Sequence, residues 1–141
     1  MTGLEALSIG ILRPIGNPST TSVGLPLEYK ILPEYFKEVG YRTSLVGKWH
    51  LGMSSEEYLP SQRGFDTTYG FMNGGIDYFK HTMSGRLDWH KNGNPLREEG
   101  YSTELIAEEA IKIIQNKQSN KPLLLYVAFN APHTCLLYTS P

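Results

Sequence analysis

The sequence has a single cysteine, Cys135, so no disulfide can form within the chain; on composition alone this favours a reducing compartment. It also lacks an excess of either charge. Thirteen Lys and Arg stand against 14 Asp and Glu, a formal charge of -1, which excludes the extended positive field that holds a nucleic-acid backbone. An anionic ligand must be gripped locally. No apolar run reaches the roughly 20 residues that span a bilayer, and the opening Met1-Thr2-Gly3-Leu4-Glu5 has no basic segment leading into an apolar one. No Asn-x-Ser/Thr acceptor occurs, because Asn17-Pro18-Ser19 carries proline in the middle. Internal repeats and low-complexity tracts are absent too.

What is present is an ordinary globular composition with many loops: 141 residues, 40% hydrophobic, with 14 Gly and 9 Pro. That length supports one modest domain. Glycines and prolines crowd residues 1–26, which predicts a mostly extended surface segment. Leu27, Ile31, Leu32, Tyr35, Phe36 and Val39 then recur at helical spacing. Pro33 is tolerated only in the first turn and Gly40 sits at a C-terminal cap, so a helix is expected from about Leu32 to Val39. Tyr41 to Val46 reads as a short strand broken by Gly47. Residues 53–100 show no sustained period and read as a long insertion, with hairpin strands near Tyr78 to Thr82 and Leu87 to His90 across Asn92-Gly93 or a nearby turn. A loop of that length inside a compact domain is usually functional. Ser102 or Thr103 can cap a helix whose apolar face is Ile106, Ala110, Ile113 and Ile114. Leu123 to Phe129 is a continuous apolar run, suited to a parallel strand buried on both faces. The order helix, strand, insertion, helix, strand predicts an α/β fold.

In such folds ligands bind beyond the carboxyl ends of the strands. Lys48 and His50 follow the first strand and His133 follows the second, at Asn130-Ala131-Pro132-His133. If the strands are parallel neighbours, these three side chains converge on one rim. Lysine is a compact charge for a sulfate or phosphate oxygen, and each histidine can donate or accept a proton near neutral pH. Taken singly, a lysine after a strand is commonly a solvated charge and a histidine a structural hydrogen-bonder. His81 and His90 lack metal-ligand spacing, and Asp66 and Asp77 read as loop anchors. Gly70-Phe71-Met72-Asn73-Gly74-Gly75 is no phosphate loop: it lacks the Lys-Ser/Thr ending and, as read here, a strand before it, so its glycines are assigned to tight turns.

Lys37-Glu38-Val39-Gly40-Tyr41, Val46-Gly47-Lys48-Trp49-His50-Leu51-Gly52 and Arg63-Gly64-Phe65-Asp66, followed in order by Gly70-Phe71, Asp77-Tyr78, Tyr101-Ser102-Thr103, Leu125-Tyr126 and Pro132-His133, resemble the sulfatases, most closely the arylsulfatase B-like branch. The Gly-Lys-Trp-His-Leu-Gly block is the most specific of these. The resemblance implies an alkaline-phosphatase-like domain with a mostly parallel central sheet flanked by helices, of which this chain is an incomplete, internal piece. It also implies sulfate-ester hydrolysis dependent on formylglycine and calcium, acting on a sulfated small molecule or sulfated glycan, in a lysosomal or secreted setting. By the same resemblance Lys48 holds the sulfate, His50 hydrogen-bonds the hydrated aldehyde and His133 stands near the leaving oxygen.

Residues 1–141 contain neither the family's Asp-Asp pair and Cys/Ser-x-Pro-x-Arg motif nor its later Asp-Asn pair and second lysine. No metal ligand is therefore assigned, and the chain alone is expected to show no turnover. Gly75 stands where relatives often have a serine near the sulfate. Residues 1–134 are taken as partial catalytic domain and residues 135–141 as a non-native tail, which removes Cys135 and its compartment argument from consideration. The rival readings are a phosphodiesterase or phosphonate hydrolase of the same superfamily, a non-catalytic binder of sulfated glycans, and an inert truncation product.

Overall fold

The computed structural model describes residues 1–15, 24–116 and 120–133. Residues 135–141 lie outside them. Helix α1 spans Leu32–Glu38, with Pro33 in its first turn, where a missing N–H costs nothing. Glu34 reaches back to accept from the Ile31 backbone N–H at 2.7 Å, and Gly40 leaves the helix at φ 89°. The expected apolar face is only partly used: Ile31 and Pro33 are buried, whereas Leu32, Tyr35 and Val39 are exposed.

Strand β1, Arg42–Lys48, runs through Gly47 instead of breaking there. The reason is a close approach between strands. Gly47 lies in register with Gly70 on one side and Ala128 on the other, at φ 108°, and a Cβ there would overlap the Ala128 carbonyl oxygen. Strand β2, Thr67–Phe71, is a parallel partner of β1 inside the stretch read as irregular. A strand does therefore precede Met72-Asn73-Gly74-Gly75, and Gly70 is a strand residue whose Cβ would strike the Gly47 backbone, not a turn glycine.

The insertion also contains two short 3-10 helices, Glu56–Tyr58 and Pro60–Gln62, and two hairpins: β3 (Thr82–Met83) with β4 (Arg86–Leu87), and β5 (His90–Lys91) with β6 (Asn94–Pro95). The second turns at Asn92-Gly93, both at positive φ as a two-residue hairpin loop requires. Helix α2, Ser102–Gln115, begins one residue earlier than a Ser102 or Thr103 cap would allow. Tyr101 is the N-cap and gives no side-chain hydrogen bond. Ile106 and Ala110 are buried beneath it, while Ile114 is exposed.

Strand β7, Leu123–Ala128, pairs in parallel with β1, giving the sheet order β6-β5-β2-β1-β7. β7 is thus an edge strand of this sheet. That explains why Tyr126 and Val127 are 38% and 36% exposed, against the two-sided burial expected of an apolar run. The residues beside β1 divide into two clusters. Leu45 and Trp49 pack with Ile9, Ile15, Leu25, Ile31 and Phe65; Val46 packs with Tyr69, Phe71, Trp89 and Ile106. The opening segment, expected at the surface, hence contributes Ile9, Ile15 and Leu25 to the core.

The Arg63-Gly64-Phe65-Asp66 block is architectural. The buried Arg63 guanidinium donates to the Leu25 and Tyr29 carbonyls at 3.1 and 2.8 Å. Thr43 Oγ1 donates to the Gly64 carbonyl at 2.6 Å, and Asp66 accepts from the Thr43 backbone N–H at 3.0 Å while pairing with Lys37 at 2.8 Å. These contacts fix α1 against the start of β1. Asp77 likewise anchors a turn, accepting from the backbone N–H groups of Phe79 and Lys80.

Candidate active site

The three parallel strands finish at Lys48, Phe71 and Ala128, and the chain segments that leave them share one rim. Trp49 and His50 stay tied to the segment after β2: Trp49 N–H donates to Phe71 O at 2.9 Å and His50 N–H to Met72 O at 3.1 Å. Trp49 is buried, edge-on to Phe65, and its indole N–H donates to the carbonyls of Gly52 and Tyr58 at 2.9 and 3.0 Å. It anchors the segment. The residues on either side of it both reach Gly74. The Lys48 ammonium donates to the Gly74 carbonyl, and a Cβ on Gly74 would stand 2.7 Å from His50 Cε1.

His50 sits at φ 54°, a left-handed conformation unusual for a residue with a side chain. Such a conformation costs on the order of 1–3 kcal/mol, so the backbone bond to Met72, at about 1 kcal/mol, offsets only part of it. His81 has the same φ away from the rim, so what distinguishes His50 is its place beside Lys48 and Gly74.

Lys48 and His133 both act on the charge state of His50. Burial holds the His50 imidazole below its ordinary proton affinity; the Lys48 charge lowers it further, and His133 acts in the same direction. A hydrogen bond with the Ile15 backbone favours the protonated ring but does not reverse the shift. Lys48 is also lowered, by burial. Its ammonium has three donors, so the bond to Gly74 leaves two for an anion.

His133 is held by contacts that the sequence did not single out. Its N–H donates to Asn130 O at 3.1 Å, and its own carbonyl accepts from Tyr78 O–H at 3.2 Å. Asn130, buried just past β7, donates from Nδ2 to Ile76 O at 2.9 Å. The end of β7 is thereby fastened to residues 76–78.

Asp88 was likewise not anticipated. This buried carboxylate accepts from the backbone N–H groups of Met72 and Asn73 at 3.0 and 2.9 Å, from Asn73 Nδ2 at 2.8 Å, and contacts His90 Nε2 at 3.2 Å. Burial acts against ionisation, but these partners outweigh it, and the carboxyl lies below its usual range. Asp88 therefore fixes the turn that presents Gly74 to Lys48 and His50. A lone Asp in a stretch without periodicity carries no pattern from which that duty could be read. His90 is its partner, and His81 stacks on Trp89 with ring centroids 4.5 Å apart, as structural histidines do.

An open cleft of about 800 Å³ adjoins the rim, bounded by His50, Gly74, Met83, Arg86 and His90 among others. Among the described residues no group of three or more His, Cys, Asp or Glu is arranged to hold a metal ion. No helix among them is long and apolar enough to cross a membrane.

The Sulfatase family model matches residues 1–141. Arylsulfatase J of Mus musculus is 35% identical over 144 residues, covering 96% of this chain and 24% of the relative. N-acetylgalactosamine-6-sulfatase of Canis lupus familiaris is 30% identical over 131 residues, covering 84% and 25%. Among solved structures, Ps i-CgsB in complex with k-i-k-neocarrahexaose is 30% identical with a TM-score of 0.84, covering 96% of this chain and 33% of that one. A protein solved in complex with its substrate D-glucosamine-2-N,6-O-disulfate is 26% identical with a TM-score of 0.61 and covers 92% and 22%. The chain thus spans about a quarter of the length of the curated relatives it matches.

Proposed function

This chain belongs to the sulfatase family, and we propose that its rim at Lys48, His50 and His133 is the sulfate-handling part of a sulfuric ester hydrolase. The observation that carries this is the meeting of Lys48 and His50 on Gly74, with His133 within electrostatic reach of the imidazole.

Each residue has a distinct task. Lys48 pairs its two spare donors with sulfate oxygens in a half-buried setting, where a charge pair is stronger than in open water. His50, lowered in proton affinity, is neutral near pH 7 and so can take a proton as well as hydrogen-bond a hydroxyl. His133 follows the end of the neighbouring parallel strand β7 on the same rim, where a proton donor offsets charge developing on a leaving oxygen. In the family, calcium and formylglycine supply the electrophilic clamp and the attacking group. The described residues fit neither: no metal-binding cluster is present among them, and residues 1–141 have no Cys/Ser-x-Pro-x-Arg. The chain alone therefore binds a sulfate ester without turning it over.

The substrate class that best suits this rim is a sulfated sugar. Two solved relatives carry sugars, one a neocarrahexaose and one a disulfated glucosamine, and the open cleft beside His50 has the volume of a small-molecule site. A lysosomal or secreted setting follows from the arylsulfatase B-like resemblance. Calorimetric titration with 4-nitrocatechol sulfate and with 4-nitrocatechol tests the proposal. Saturable binding of the ester alone, lost in Lys48→Ala, is expected. Equal binding of both compounds, or of neither, overturns it.

A further inference from the structure

The β3–β4 hairpin forms one wall of the cleft whose other wall includes His50 and Gly74. Its turn is two residues long, with Ser84 at φ 50° and Gly85 at φ 75°. That is the tight loop whose twist matches its strands, and it fixes the register Met83↔Arg86. Directly opposed residues share a face of a hairpin, and both line the cleft. The hairpin therefore sets an apolar side chain and a guanidinium side by side on that wall.

Arg86 is exposed, and among the described residues it makes no salt bridge. The acid nearest to hand in the cleft lining is Asp88, but its carboxylate is already engaged by Met72, Asn73 and His90. Asp88 is also only 4% exposed, so it neither neutralises Arg86 nor presents a bare negative charge to a ligand. A cation on a stiff turn, facing a cleft far larger than one sulfate, is suited to a ligand with a second anionic group. A guanidinium takes sulfate or carboxylate through two parallel hydrogen bonds.

We propose that Arg86 is a specificity-determining residue: it binds a second anionic group, sulfate or carboxylate, on a sugar unit adjoining the one whose sulfate ester sits at Lys48. This rests on the sulfate-handling reading of the rim.

The test is a calorimetric titration of the chain with three disaccharides: one carrying a single sulfate, one carrying a sulfate on each sugar, and one pairing a sulfated sugar with a uronic acid. Wild type is compared with Arg86→Gln and Lys48→Ala, and circular dichroism verifies each fold. Wild type is expected to prefer at least one doubly anionic probe by about fivefold, the scale of a partly exposed charge-assisted contact. Whether the disulfated or the uronate probe gains more identifies the second group. Arg86→Gln removes that preference and leaves the singly sulfated probe unchanged, whereas Lys48→Ala weakens all three. A preference that survives Arg86→Gln, or no preference in wild type, overturns the role of Arg86 while Lys48 dependence keeps the rim intact. Absence of binding by every probe, or indifference to Lys48→Ala, overturns the reading of the rim and this proposal with it.

Discussion

Lys48 and His50 share a single neighbour, Gly74: the ammonium bonds its carbonyl oxygen, and the imidazole lies where a Gly74 side chain would begin. The pair is coupled electrostatically as well, because the lysine charge opposes protonation of the histidine.

That coupling sets the titration of His50. Its midpoint in a proton NMR titration is expected below the usual 6.5, and Lys48→Ala is expected to raise it without restoring 6.5, because burial remains the larger cause. As pH falls below about 6.5 the unfolded chain takes up the proton first, so the fold loses stability until His50 itself titrates. A midpoint at or above 6.5 in wild type contradicts this.

Two glycines on the same rim should respond differently to alanine. At Gly47 the new Cβ meets the Ala128 carbonyl, a backbone group held in the β1–β7 ladder, at a φ of 108° that alanine rarely adopts. Gly47→Ala is expected to cost about 3 kcal/mol or more in urea denaturation. At Gly74 the atoms nearest the new Cβ belong to the His50 ring, the closest 2.7 Å away, and a side chain can yield more readily than a backbone carbonyl. Gly74→Ala should stay within about 1 kcal/mol of wild type yet weaken binding of 4-nitrocatechol sulfate and move the His50 resonance.

Asp88→Ala removes the acceptor for two backbone N–H groups and the Asn73 amide. Losing hydrogen bonds to a buried carboxylate and stranding their donors costs about 2–3 kcal/mol at neutral pH. The carboxyl is lowered in the fold, so its contribution is present above its unfolded value of 3.8 and disappears as pH falls through the folded one. Denaturation curves of wild type and variant should therefore converge in acid below 3.8.

The sequence made the outer frame of this site legible. α1, β1, α2 and β7 each carry a punctuation or periodicity signal, and a strand followed by Lys48-Trp49-His50 points to the rim directly. β2 escaped because Thr67-Thr68-Tyr69-Gly70-Phe71 neither alternates nor forms an apolar run. Thr68 is buried, and Gly70 serves the approach to Gly47, so a glycine that marks a turn elsewhere sits here in a strand. For β7 the apolar run suggests two covered faces, whereas here the strand ends the sheet and has a neighbour, β1, on one side alone. The contacts of Asp88, Asn130 and Tyr78 escaped for another reason. Apart from His90, next but one to Asp88, the partners of their side chains lie 15–55 residues away, and only the folded chain brings them together.

The central claim is that Lys48, His50 and His133 act on one sulfate group. Its most direct test follows the imidazole Cε1–H signals of both histidines by NMR while a sulfated monosaccharide is titrated into the chain. The account predicts that the two signals move together along one saturable curve and that Lys48→Ala abolishes both movements. Movement of His50 without His133, or shifts that persist in Lys48→Ala, would contradict it.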